Sequence, residues 1–208
     1  MSSISIIGAG NMASAIGALA LEGGNTVEII SRDSAKATSL ANSLGKGATV
    51  GMWGAAPVGD IVFLAVLFEG AVAIVGEFGE ALAEKIVVDI TNPFSPTGTG
   101  LAVPHDTSVA QMVAQAAPAS TRVVKAFNTL FRDVLASGGP RDVFMAGDDA
   151  NAKADLSTLI TSFGHRPQDT GDLSMAHWLE GASLIEMGLA RNGQGFSLSL
   201  GVDLEGKK

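Results

Sequence analysis

Ile4-Ser5-Ile6-Ile7-Gly8-Ala9-Gly10-Asn11-Met12-Ala13 is the stretch that decides the fold. Ile4 to Ile7 form a short run rich in β-branched side chains, which reads as a strand. The run stops at Gly8-Ala9-Gly10, and Met12 to Leu21 then shows the small-residue pattern of a closely packed helix. Gly23-Gly24-Asn25 closes that helix and Thr26 to Ser31 reads as a second strand. Strand, crossover helix and strand are thus complete within about 30 residues, and the crossover is expected to be right-handed.

The same alternation continues along the chain. A second helix fits Ser34 to Leu44, with Asp33 or Ser34 as N-cap and Gly45 past its end, and Ala48-Thr49-Val50 is a weak third strand. Asp60 to Val66 and Lys85 to Ile90 are unbroken apolar runs, as expected of strands buried on both faces of a parallel sheet, with a helix through Glu80-Ala81-Leu82 between them. Asn92 to Pro104 holds three prolines and two glycines without periodicity and reads as a long loop. A helix near Val109 to Ala117, strands over Arg122 to Ala126 and Asp142 to Ala146, a helix over Asn151 to Phe163 and a strand over Arg166 to Thr170 follow. From Leu173 a Met- and Leu-bearing helix runs to about Gly188, and a Gly-rich apolar tail occupies Gly193 to Leu200. The expected architecture is α/β: a doubly wound, mostly parallel sheet of the NAD(P)-binding Rossmann kind over 1–170, with a small C-terminal helical cap on the substrate side over 171–208.

Composition narrows the function classes. The 208 residues are 47% hydrophobic and 16% charged, enough apolar material for one packed core. A net charge of -8 with no basic cluster argues against nucleic acid as a partner. The absence of cysteine removes disulfides, thiolate nucleophiles and Cys-ligated metals, and the three histidines, His105, His165 and His177, show no metal-ligand spacing. Met1 to Leu21 carry no charge, but no Lys or Arg precedes the apolar residues and Gly8, Gly10 and Asn11 interrupt them. The expectation is a cytoplasmic protein with no membrane partner.

Gly8 to Ala13 match G-x-G-x-x-A between a strand and a helix. In that context Gly8 permits the turn, Gly10 lets backbone approach a pyrophosphate, and the helix N-terminus around Ala9, Asn11, Met12 and Ala13 offers unpaired N–H groups. The end of the second strand reads the ribose: NAD enzymes usually place an acid about 20 residues after the glycines, and here Ser31-Arg32 stand there. Arg32 can fork onto a 2′-phosphate, with Ser31 donating and Lys36 one turn further on, so NADP(H) is the expected cofactor. Asp33 reads as a helix N-cap.

Residues after the later strands face the nicotinamide half in such a sheet: Ala65, Val66 and Leu67, then Asn92 and Pro93, then Phe127, Asn128 and Thr129. Asn92 and Asn128 are candidates to bond a ribose or carboxamide, and ordinary turn formers by the alternative reading. Lys125 is either a contact to an anionic substrate or a proton donor, or a structural lysine whose head snorkels to water. His177 beside Trp178 either lines a substrate pocket or packs in a core or interface. No acid–base constellation emerges, which suits direct hydride transfer carried by positioning.

With these residues in view the chain resembles the NADPH-dependent coenzyme F420 reductases, also called F420H2:NADP oxidoreductases. The resemblance runs over nearly the whole chain: the glycine loop 8–13, Ser31-Arg32 with Lys36, Val87-Val88-Asp89 followed by Asn92-Pro93, Ala146-Gly147-Asp148-Asp149, and Arg166 to Leu173. With the apolar tail Gly195-Phe196-Ser197-Leu198, it implies an NADP-binding domain whose cap completes a deazaflavin pocket, usually in a homodimer. The glycine loop is also similar to that of pyrroline-5-carboxylate reductases, which carry a longer helical C-terminal domain. The implied activity is that of an oxidoreductase moving hydride between NADP(H) and coenzyme F420 or a related acceptor. The alternatives are a flavin or ferric reductase using FMN or FAD, an imine or ketone reductase, and an NADPH-binding redox sensor without turnover.

Overall fold

The computed structural model describes residues 1–45 and 47–203, so 204–208 of the expected cap lie outside the described residues. β1 (Ser3–Ile7), β2 (Thr26–Ile30), β3 (Thr49–Val50), β4 (Ile61–Leu64), β5 (Ile86–Asp89), β6 (Arg122–Ala126), β7 (Asp142–Gly147) and β8 (Arg166–Asp169) form one sheet in the order β3-β2-β1-β4-β5-β6-β7-β8. All neighbours are parallel except β6 and β7, which pair antiparallel with Lys125 opposite Ala146. The helices are α1 (Asn11–Glu22), α2 (Ser34–Leu44), α3 (Phe68–Phe78), α4 (Val109–Ala116), α5 (Arg132–Ala136), α6 (Ala150–Ser162) and α7 (Ala176–Leu189).

Because strand side chains alternate, each central strand feeds two cores. Ile4, Ile6, Phe63 and Val88 pack with α1, α2, α5 and α6, through Ile16, Leu40, Leu135 and Leu156 among others. Val62, Leu64 and Val87 pack on the opposite face with Val75 of α3, Val113 of α4 and Leu179 of α7. This two-sided burial is why the runs at β4 and β5 show no polar alternation. The doubly wound α/β fold read from the sequence is the fold observed.

Two local expectations change, and one expected strand holds in spite of its proline. The helix after β4 is centred on α3, and Glu80-Ala81-Leu82 belong to a tighter 3₁₀ turn, Gly79–Leu82, because Gly79 at φ 44 ends the α-helix. α5 was not visible in the sequence, since five residues are too few to show a period. β8 keeps Pro167 because it is an edge strand, where a missing N–H costs no ladder bond.

Candidate cofactor and acceptor site

The order of strands reverses at β1 and β4, so a crevice opens beyond their carboxyl ends. Gly8 is held at φ +130, and a Cβ there would lie 2.1 Å from the Ala65 carbonyl oxygen. Glycine is therefore required for the two strand ends to approach one another. Gly10 differs: a Cβ there would meet no described atom within 4 Å, so its missing side chain leaves open space in front of α1. The first bond of the helix runs from the Ser14 N–H to the Gly10 carbonyl at 3.0 Å, leaving the first-turn N–H groups without helical partners. No acidic residue occupies that first turn to offset its positive potential.

A cleft of about 1070 Å³ runs from this helix end across the sheet, lined by Gly8 to Met12, Ser31, Lys36, Ala65 to Leu67 and Asn92, with Phe94 at its far side. Arg32 stands outside the lining at the rim, exposed, its guanidinium carbon 5.0 Å over the ring centre of Trp53. Trp53 is itself fixed edge-on against Phe78 at 5.1 Å. Asp33 accepts the Lys36 N–H at 3.1 Å as the N-cap of α2, as the sequence indicated. Glycine spacing gives no hint of Trp53, which reaches Arg32 from the loop between β3 and β4.

Beyond Met12, Ile90, Asn92 and Phe94 the cleft meets a smaller cavity of about 240 Å³, which those residues also border. Phe127, Asn128, Leu130, Phe131 and Arg132 line it from the sheet side, and Ser183, Glu186 and Met187 from α7. Phe127, immediately after β6, sits at φ 60, a left-handed conformation that turns the chain so that Asn128 points across to Asn92. The Asn92 side-chain amide donates to the Asn128 carbonyl at 2.7 Å, and the Asn128 amide donates to the Asn92 side chain at 3.0 Å and to the Leu179 carbonyl at 2.9 Å. Ser183 closes the group by donating to the Asn128 carbonyl at 2.8 Å. The two asparagines clamp the post-β5 and post-β6 loops onto α7.

Glu186 is 2% exposed, and burial pushes its carboxyl up to about 7 against the opposing Leu200 N–H, which donates to it at 3.2 Å. Sequence reasoning passed over it and over Ser183 and Met187, whose wall position only the packing of α7 reveals.

Several sequence candidates serve the site only from beneath. Lys125 is fully buried and neither snorkels nor reaches the cleft: its ammonium donates to Asp89 at 2.8 Å, Glu180 at 2.8 Å and the Thr91 carbonyl at 2.6 Å, which uses all its protons. Ala13 is packed in the core against the sheet rather than facing a ligand. Pro93 and Thr129 are buried and line neither cavity. His177 faces away, its Nδ1 sharing a hydrogen bond of 2.8 Å with the Thr107 carbonyl and its ring set edge-on to Trp178. Leu67 does line the cleft, with most of its surface exposed.

Comparison with known proteins places this geometry in context. Residues 3–93, which contain the glycine loop and the post-β5 Asn92, match the family described as NADP oxidoreductase, coenzyme F420-dependent. The chain is 30% identical over 184 residues to metalloreductase STEAP3 of Rattus norvegicus, a match covering 87% of this chain and 36% of that protein. It is 32% identical over 143 residues to the F420-dependent NADP reductase of Methanocaldococcus jannaschii, covering 65% of this chain and 64% of that one. The chain thus spans less than two thirds of the length of these curated relatives. A solved structure from Arthrobacter sp. FB24 superposes with a TM-score of 0.86 at 24% identity, covering 98% of this chain and all of that one, which is a likeness of fold. Among the described residues no helix is long and apolar enough to cross a membrane.

Proposed function

We propose that this chain, whose residues 3–93 match the family described as NADP oxidoreductase, coenzyme F420-dependent, transfers hydride between NADP(H) and a deazaflavin or related acceptor. The observation that carries the reading is the open space at Gly10 in front of an unneutralised helix N-terminus, with Ser31 and Arg32 just past β2, Lys36 in the first turn of α2 and no acid on the strand end itself. A pyrophosphate fits the first feature and a 2′-phosphate the second. Gly8 to Met12 hold the pyrophosphate and Ser31, Arg32 and Lys36 the 2′-phosphate. Ala65, Val66 and Asn92 border the nicotinamide half. When bound, NADPH supplies the hydride, and the protein's part is to position it against an acceptor in the cavity bordered by Phe127, Asn128 and α7. Residues 1–170 form the NADP-binding domain and 171–208 the acceptor-side cap.

Arg32→Ala is expected to weaken NADPH binding ten- to a hundredfold, roughly the worth of charge-assisted contacts to one phosphate, and to leave NADH binding nearly unchanged. Isothermal titration with both nucleotides measures this, and equal losses for both would remove Arg32 from the 2′-phosphate. Anaerobic stopped-flow absorbance with coenzyme F420 and with FMN separates the deazaflavin reading from a flavin or ferric reductase, which the similarity to a metalloreductase favours as the second reading. Binding without transfer to either would leave an imine or ketone substrate, or a sensor.

The cytoplasm is the proposed compartment and a homodimer the proposed assembly. Support for the dimer comes from α7, where Trp178, Ile185 and Leu189 are 65%, 64% and 44% exposed at a spacing that puts them on one helix face. Light scattering is expected to give twice the 21.1 kDa chain mass, and the chain mass alone for Ile185→Glu. A monomeric wild-type protein would remove the dimer.

A further inference from the structure

Glu186 combines three properties that separate it from the other carboxylates. It is almost wholly buried, it lines the cavity where the acceptor is placed, and among the described residues only one oxygen takes a hydrogen bond, from the Leu200 N–H at 3.2 Å. The charged groups around it are committed elsewhere. Arg132, which also lines the cavity, pairs with Asp133 at 2.9 Å. Glu180, further back on α7, is bound to Lys125, and Asp142 on β7 is held by Arg166 and Gln168. Among the described residues no cation is paired with Glu186, and burial pushes its carboxyl up to about 7.

We propose that Glu186 is the proton donor of the site, serving an acceptor that takes hydride on a carbon and a proton on a conjugated ring or imine nitrogen. The proposal rests on the reading of the cleft as an NADP(H) site. Hydride addition to such an acceptor moves a π-electron pair onto nitrogen. The Glu186 O–H bond breaks as an N–H bond forms there, and the carboxylate then recovers its proton from water. In the reverse direction the ionised carboxyl takes the proton back. A carboxyl that titrates near the working pH is suited to both directions.

The E186Q variant tests this, since the amide still accepts the Leu200 N–H and keeps the side-chain shape but has no proton to give. Single-turnover hydride transfer is expected to fall by about 10²- to 10⁴-fold with NADPH affinity unchanged. The wild-type rate of acceptor reduction is expected to decline above about pH 7 as the proton is lost, and that of E186Q to stay flat. Independently of turnover, carbon-13 NMR of the side-chain carboxyls is expected to show a resonance titrating near 7 that E186Q lacks. Unimpaired transfer by E186Q, or a Glu186 resonance titrating in the ordinary carboxylate range, overturns the proposal alone. Failure of the wild-type protein to bind NADPH overturns the cleft reading and the proposal with it, and binding without transfer to F420 or to a cyclic imine overturns the acceptor class.

Discussion

Lys125→Met is expected to cost about 3–5 kcal/mol of stability at neutral pH, the loss that follows when one partner of a buried ion pair is removed. Lys125, Asp89 and Glu180 all have fully buried side chains, so methionine fills the volume but strands two carboxylates in a dry interior. Burial already holds the Glu180 carboxyl above its usual range, with Lys125 opposing that shift. Removing the ammonium lets it rise further. A carboxyl whose folded value lies above its unfolded one stabilises the fold when protonated, and that stability is lost as pH rises through the folded value. The variant is therefore expected to fall further behind the wild type at pH 8 than at pH 5, as read by urea unfolding followed by circular dichroism. Lys125→Met with Glu180→Gln should recover part of the loss, since one charge is gone and the new amide oxygen can still accept from the Val109 N–H, which Glu180 holds at 3.0 Å. A loss under about 1 kcal/mol at both pH values would mean that water reaches the cluster. The effect extends to the site, because these bonds tie α7 to β5, β6 and the start of α4, and α7 carries Ser183 and Glu186.

The part of the site that sequence made legible is the part built from local chemistry. Gly8 needs its left-handed backbone, Gly10 its open space and Asp33 its cap, and each requirement is met within a few residues of its cause. Apolar runs placed β4 and β5 because a strand covered on both faces has no polar side to show. Phe127 and Asn128 of the acceptor half were legible as residues following a strand end, but its α7 wall failed to show because that helix inverts the usual pattern. Trp178 and Ile185 face outward while Glu180, Ser183 and Glu186 are buried, so hydrophobic periodicity points to the wrong face. The reason for each burial lies far away in sequence: Lys125 for Glu180, Asn128 for Ser183, the tail at Leu200 for Glu186. The same distance explains Lys125 itself, an ion-pair hub whose partners sit on two other elements, and Arg32, whose support is Trp53 in a loop without periodicity.

Gly10→Val is expected to abolish binding of both NADPH and NADH while leaving the fold nearly as stable as before. The Gly10 backbone sits at φ -94, ψ -168, an extended conformation that valine adopts without strain. Its Cβ would meet no described atom within 4 Å, so the new branch point opens onto the cleft and not onto packed protein. Gly10 caps α1 without a side-chain bond, and losing a glycine cap for an aliphatic residue costs about 1 kcal/mol at most. The isopropyl group instead fills the space before the helix N–H groups, where a pyrophosphate must come to reach them. Gly8→Ala cannot serve the same purpose, because its Cβ would run into the Ala65 carbonyl at 2.1 Å from a left-handed backbone and break the junction of β1 and β4. A loss of binding there would be indistinguishable from misfolding. Calorimetric titration and a thermal melt of the Gly10 variant therefore carry the argument together: an unchanged melt with no nucleotide bound is the expected pair of results, and wild-type affinity in a folded variant would take the pyrophosphate away from the start of α1.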